Sequence, residues 1–132
     1  MIKTENTRVK IIQKLYSNLL NPNSSISYNK GQFRKFIKDV VEGTIERQEF
    51  IDDTINKYLK DDFNHHRSDK ILKIILSAAI YEILYKHNNS TKIIISEYLK
   101  SAEFFLEKGK IKYLNAILDK ISKELRKDEW IC

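Results

Sequence analysis

Few residues in this 132-residue chain have the types and spacing that chemistry requires. His65 and His66 are adjacent, so on a helix their rings diverge by about 100° and on a strand they face opposite sides, and neither geometry brings two imidazoles to one metal. They read as a solvated loop pair. His87 stands in an Asn-rich link with no Cys, Asp or Glu at ligand spacing, and reads as a surface residue at the negative end of a helix dipole. Asp52-Asp53 and Asp61-Asp62 are neighbours rather than facing carboxylates, an arrangement of exposed helix-end charges and not of a general acid and base. The chain has no glycine-rich phosphate loop, no nucleophile elbow and no strand for either to follow. Cys132 is the single cysteine, which excludes an intrachain disulfide and any multi-cysteine zinc or iron–sulfur site. The expectation is a protein without catalytic residues, metal or cofactor.

Binding chemistry is better represented. Lys+Arg number 24 against 18 Asp+Glu, a formal net charge of +6, which fits nucleic acid, an acidic surface or simple solubility. Two places concentrate it beside aromatic rings. Lys10 and Lys14 fall on one face of the first amphipathic segment, while Arg8 lies at its apolar edge, in line with Leu15 and one row from Tyr16. Arg8 and Tyr16 are therefore expected to share a surface. A guanidinium binds phosphate through two hydrogen bonds and an exposed tyrosine ring stacks on an unpaired base, a combination suited to single-stranded RNA. The second cluster is Lys108-Gly-Lys-Ile-Lys-Tyr, where Lys108, Lys110 and Lys112 surround a predicted helix start whose free amides also attract phosphate. Its alternative is a solvated turn with Tyr113 half-buried. Glu82 is the remaining conspicuous group, because it lies in a nearly all-apolar segment where a carboxylate needs water, a cation or several hydrogen bonds. An internal structural bond is the favoured reading, an interface role the alternative.

The elements that must position these groups are helical. Three Gly and one Pro, with 42% apolar residues, leave too little turn material for a many-stranded sandwich or barrel. Val9, Ile12, Tyr16, Leu19 and Leu20 predict a helix over residues 5–20, ended by the turn-forming run Asn21-Pro-Asn-Ser-Ser-Ile-Ser-Tyr-Asn-Lys. Phe33, Phe36, Ile37, Val40 and Val41 form a second stripe and Ile51, Ile55, Tyr58 and Leu59 a third, with Gly43 as the candidate break between them. A polar connection follows, and Ser68 or Asp69 can cap the next helix. From Ile71 to Tyr85 that helix is apolar on almost every side, the pattern of a central element surrounded by others. The link His87-Asn-Asn-Ser-Thr leads to a stripe of Ile95, Tyr98, Leu99, Ala102 and Leu106, and Gly109 precedes Leu114, Ile117, Leu118, Ile121 and Leu125. Lys92-Ile-Ile-Ile-Ser has strand-like composition, but the helical period continues through Leu106. One all-α domain over residues 1–132 is expected, a compact bundle of six or seven helices around the central apolar one. The longest apolar run, Ile74 to Tyr81, is interrupted by Ser77 and far short of the roughly 20 residues that span a membrane. Together with an N-terminus that has no apolar leader, this gives a cytoplasmic expectation.

Four segments, in order, resemble one family. Thr7-Arg-Val-Lys-Ile-Ile-Gln-Lys-Leu-Tyr16 is similar to the opening Ala-Arg-Glu-x-Ala-x-Gln-x-Leu-Tyr of the bacterial transcription antitermination factor NusB family. Ile75-Leu-Ser-Ala-Ala-Ile-Tyr-Glu-Ile83 resembles its Ile-Leu-Arg-Leu-Ala-x-Tyr-Glu-Leu, and Ile95-Ser-Glu-Tyr-Leu-Lys-Ser-Ala102 its Ile-Asn-Glu-Ala-Val-x-Leu-Ala. Lys112-Tyr-Leu-Asn-Ala-Ile-Leu-Asp-Lys-Ile121 is similar to Lys-Phe-Val-Asn-Gly-Val-Leu-Asp-Lys-Ile, with Asn115 and Asp119 at polar positions that helix periodicity does not require.

The resemblance implies two small helical bundles without catalytic activity. It also implies binding of the boxA element of ribosomal RNA leaders together with the ribosomal protein NusE, and assembly with RNA polymerase, NusA and NusG. By position, Arg8, Tyr16, Lys112 and Tyr113 match places the family uses around RNA, and homodimers occur in some members. The expected RNA-binding set is Arg8, Lys10, Lys14, Tyr16, Lys110, Lys112 and Tyr113. Lys3-Thr-Glu-Asn-Thr replaces the family's N-terminal arginine run, which implies RNA binding that leans on NusE. Val9, Ser77, Ser90 and Ser96 also depart from the pattern, at its Glu, Arg, Pro and Asn. Two alternatives belong to other classes: the NusB-type domain of a ribosomal RNA cytosine methyltransferase, and a helical interaction module whose basic face serves solubility or self-association. The former is not expected, because no cofactor-binding strand-to-helix turn follows the helical part.

Overall fold

The structure is a computed structural model that describes residues 3–63 and 69–130. His65, His66, Ser68 and Cys132 lie outside the described residues, as do the side chains of Lys3, Asp61 and Asp62. Six α-helices follow in order: α1 (Lys3–Leu20), α2 (Arg34–Glu46), α3 (Gln48–Phe63), α4 (Lys70–Tyr85), α5 (Thr91–Ala102) and α6 (Lys108–Leu125), with a 3-10 turn over Lys127–Trp130. No strand occurs among the described residues.

The apolar periodicity explains the architecture. Helix α4 packs against each of the other five α-helices, and Leu72, Ile75, Leu76, Ile80 and Ile83 on its successive faces are fully buried. Each such side chain contributes about 1.5–3 kcal/mol relative to leaving it in water. Asp69 starts α4 by accepting a hydrogen bond from the Leu72 amide at 3.0 Å, which satisfies one of the amides a helix start leaves unpaired. Ser90 does the same for α5, accepting from Ile93 N at 3.3 Å, so the Ser that replaces the family's Pro still marks the helix start. The isoleucine run after Lys92 is helical, and α5 ends at Ala102; Leu106 lies in the following turn but still packs on the core.

Gly43 does not break the chain. It is buried inside α2, and the break falls at Arg47, where φ of −107° and ψ of 21° leave the helical region. The glycine serves packing: a Cβ there would lie inside the van der Waals envelope of the Tyr81 ring on α4. At the far end of the core, Arg126 is buried and gathers carbonyls from the last turn of α4 and the link that follows it. Its Nε donates to Ile83 O at 2.7 Å, Nη1 to Asn89 O at 2.7 Å, and Nη2 to Lys86 O at 3.1 Å and Glu82 O at 3.2 Å. Both ends of the central helix are thus held by side chains from the chain's polar joints.

Candidate nucleic-acid interface

Helix α1 turns Ile11, Ile12 and Leu15 into the core against α2, α4 and α5, and Arg8 lies on that same side. The Arg8 side chain is 5% exposed and its partner Glu82 is fully buried. Nη2 donates to Glu82 Oε1 at 2.6 Å and Nε to Oε2 at 3.1 Å, while the Tyr98 hydroxyl donates to Oε2 at 2.5 Å. The guanidinium also stands over the Phe36 ring at 5.0 Å and the Tyr98 ring at 5.7 Å. Burial by itself lowers the Arg8 pKa, but the Glu82 carboxylate more than offsets this and raises it above its usual value. Burial and the same carboxylate push the Tyr98 phenol well above its ordinary range. The Glu82 question is settled as an internal bond. The expectation that Arg8 and Tyr16 share a surface is corrected: Tyr16 is 36% exposed at the helix edge, whereas Arg8 points inward. The carboxylate in the apolar hub demands a cation, and Arg8 is the one that reaches it.

Lys10 and Lys14 face away from the core toward the segment after α1. Lys14 Nζ donates to the Ser27 carbonyl at 2.6 Å and lies 5.3 Å from the centre of the Tyr28 ring. Burial and the nearby Glu42 carboxylate raise the Tyr28 pKa. Lys14 and Tyr16 are two residues apart, so about 200° of rotation puts them on opposite flanks of α1. The α1 candidates therefore occupy three directions: Arg8 inside, Lys10 and Lys14 on one flank, Tyr16 on the other.

The second cluster also divides. Lys110 is ion-paired with Asp69, the residue that caps α4, so this lysine ties α6 to the central helix. That hydrogen bond raises its pKa. Lys108 and Lys112 are exposed, and Tyr113 is half-buried against the core. Glu107 stands at the start of α6 without a side-chain cap bond. Helices α1 and α6 both pack on α4 and α5. The third and fourth resemblance motifs meet at α5 and α6, where Ser96, Asn115 and Asp119 line one groove of about 470 Å3.

His87 is exposed at the C-terminal end of α4, with Nε2 2.7 Å from the Leu84 carbonyl. Asp52 pairs with Lys73 at 3.3 Å. Among the described residues no group of three or more His, Cys, Asp or Glu side chains is placed to hold a metal, and no helix is long and apolar enough to cross a membrane. Sequence reasoning missed Arg126, whose targets are carbonyls invisible to any residue pattern. It also passed over Phe104, which is 71% exposed in the turn between α5 and α6. A second aromatic beside it, Phe105, is partly buried against the core, and the pair gave no periodic signal.

Known proteins share both sequence and fold with this chain. The sequence model of the NusB family matches residues 2–123. The transcription antitermination protein NusB of Mesorhizobium japonicum is 34% identical over 92 residues, covering 70% of this chain and 59% of that protein. The protein of the same name from Rhodopseudomonas palustris strain HaA2 is 33% identical over 95 residues, 72% of this chain and 56% of its own length. The matched region is thus somewhat over half the length of these relatives. The solved structure of T. maritima NusB superposes with a TM-score of 0.81 at 21% identity, covering 98% of this chain and 97% of that one, a likeness of fold. With the family pattern running from the first helix through most of α6, the chain belongs to the NusB family.

Proposed function

We propose that this chain is a transcription antitermination factor that binds boxA-type single-stranded RNA together with the ribosomal protein NusE. It acts without catalysis, in the cytoplasm, as an adaptor that joins the RNA polymerase elongation complex with NusA and NusG and promotes processive ribosomal RNA transcription. The observation that carries this reading is the family match over residues 2–123, whose relatives are named transcription antitermination proteins. The exposed chemistry supports it. Lys10 and Lys112 present cations to solvent, and Tyr16 and Tyr113 offer partly exposed rings on the same two helices, the two group types that bind a single-stranded backbone and its bases. Lys14 contributes positive potential from a fixed position, held by the neutral Ser27 carbonyl, whereas the charge of Lys110 is offset by its Asp69 partner. Arg8 serves this surface indirectly, by fixing α1 on α4 and α5.

The deciding measurement is the affinity for a boxA RNA and for a scrambled RNA of equal length, each with and without NusE. Preference for boxA in the presence of NusE is expected; equal affinity for the two RNAs under that condition overturns the reading. Light scattering on the same samples reads whether a homodimer dissociates as RNA binds.

A further inference from the structure

Between α1 and the segment 21–29 runs a groove of about 400 Å3. Its walls are held from both sides: Lys14 grips the Ser27 carbonyl at 2.6 Å, and Arg34 Nε donates to the Tyr28 carbonyl at 3.3 Å. Lys10, Lys14 and Arg34 line it, and among the described residues no Asp or Glu does. Most of the remaining lining is Ser, Asn and Gln, including Asn21, Ser25 and Asn29. Among the described residues Ile26 and Ile37 are its only aliphatic groups, too little to seat the apolar face of a peptide helix. With three cations and no carboxylate among those described residues, the groove does not suit a hard cation.

A ligand for this groove must be anionic and must carry many hydrogen-bonding groups. The volume lies toward the lower end of small-ligand sites, which run about 300–1,000 Å3. Asn side chains pair a donor with an acceptor, as the edge of a nucleobase does. Only Nε of Arg34 is engaged with the Tyr28 carbonyl, so its outer edge can meet a phosphate. We propose that this groove is a ribonucleotide-binding site, taking one 5′-phosphorylated nucleoside unit with its phosphate between Lys10 and Arg34 and its base against the Asn21–Asn29 wall. The unit comes either from a free nucleotide or from an RNA strand that continues past its main contacts. In the second form the inference rests on the RNA-binding function proposed above, and the groove is where the strand gains an additional contact.

The test has two arms, both on the full chain. In the first, AMP and UMP are titrated while backbone amide shifts are followed by NMR; shifts centred on Ser24, Ser25 and Asn29, lost in Arg34→Gln, are expected. In the second, affinity with NusE is measured for a minimal boxA RNA and for one extended by about four nucleotides at either end. The extension is expected to tighten wild-type binding about five- to tenfold. Arg34→Gln should abolish that gain without changing affinity for the minimal RNA, and should lower the log–log salt slope by about 0.7. Asn21→Ala, on the opposite wall, should give the same loss and guards against an effect confined to one side chain. A gain from extension that both variants remove assigns the groove to RNA; mononucleotide shifts without such a gain assign it to free nucleotides. Neither shifts nor gain, with minimal boxA RNA still bound, overturns the groove site and leaves the RNA function standing. Mononucleotide shifts with no boxA binding at any length would retain the groove and remove the RNA function.

Discussion

Replacing Arg8 by alanine removes the cation from a carboxylate that has no exposed surface. Glu82 then keeps the Tyr98 hydroxyl and loses both guanidinium bonds, of 2.6 and 3.1 Å. Breaking a buried pair by deleting one partner costs about 3–5 kcal/mol, because the remaining charge is stranded in a low-dielectric interior. The stacking of the guanidinium on Phe36 and Tyr98 is lost as well, at 5.0 and 5.7 Å. Against a total stability of about 5–15 kcal/mol, this predicts a fall in Tm on the order of 10–20 °C. Thermal and urea unfolding followed by circular dichroism measure it. A double-mutant cycle with Glu82→Gln identifies the cause: the paired variant should be less destabilised than the sum of the two single variants, because each single change strands the other group. RNA affinity, measured at a temperature where Arg8→Ala remains folded, should stay within about twofold of wild type, since loss of a direct phosphate contact would cost more. A Tm shift under about 3 °C, or strict additivity in the cycle, refutes the buried-pair reasoning. A large affinity loss in the folded variant returns Arg8 to the RNA surface.

Four further outcomes follow from the same geometry. Gly43→Ala gains about 1 kcal/mol of helix propensity but places a methyl group against the Tyr81 ring; the overpacking cost of about 1–3 kcal/mol should win, so the variant melts lower than wild type, and a higher melting temperature counts against the close approach. Arg126→Ala should cost about 2–4 kcal/mol by stranding carbonyls at the end of α4, with faster amide hydrogen exchange concentrated in the α4–α5 joint as its signature. Tyr98 holds its proton above the range of an unfolded tyrosine, so its contribution is fully present below about pH 10 and is lost as pH rises beyond it; denaturant titrations at alkaline pH should show wild-type stability falling more steeply than that of Tyr98→Phe, by about 1.4 kcal/mol per pH unit. Tyr16→Ala and Tyr113→Ala should each weaken the boxA RNA complex by about 1–3 kcal/mol if their rings meet bases, read by fluorescence anisotropy with NusE present; unchanged affinity in both removes them from the interface.

Local order was legible where the code is local. The 3.6-residue stripes placed the helices, apolar residues on almost every side of Ile71–Tyr85 marked the hub, and Asp69 was visible as a cap because capping depends on a residue three positions away. The basic–aromatic pairings were read from neighbouring positions too, and here locality failed. Arg8 on α1 was assigned to a surface shared with Tyr16 from its place at the helix's apolar edge, yet its partner Glu82 lies 74 residues away. Lys110 and Asp69 are 41 residues apart, and Arg126 reaches carbonyls 37 to 44 residues before it.

Gly43 shows the same limit from the opposite direction: a residue that ends helices in isolation is kept inside one because Tyr81 occupies the space its side chain would fill. Sequence by itself determined the fold class, the hub helix, the family and the set of charged and aromatic groups available for binding, since each depends on residue type and spacing along one element. Tertiary structure alone decided which of those groups face water. A charge next to the core either finds a buried partner or turns outward, and that choice depends on the desolvation cost and on a partner that only the packing of helices distant in sequence can supply.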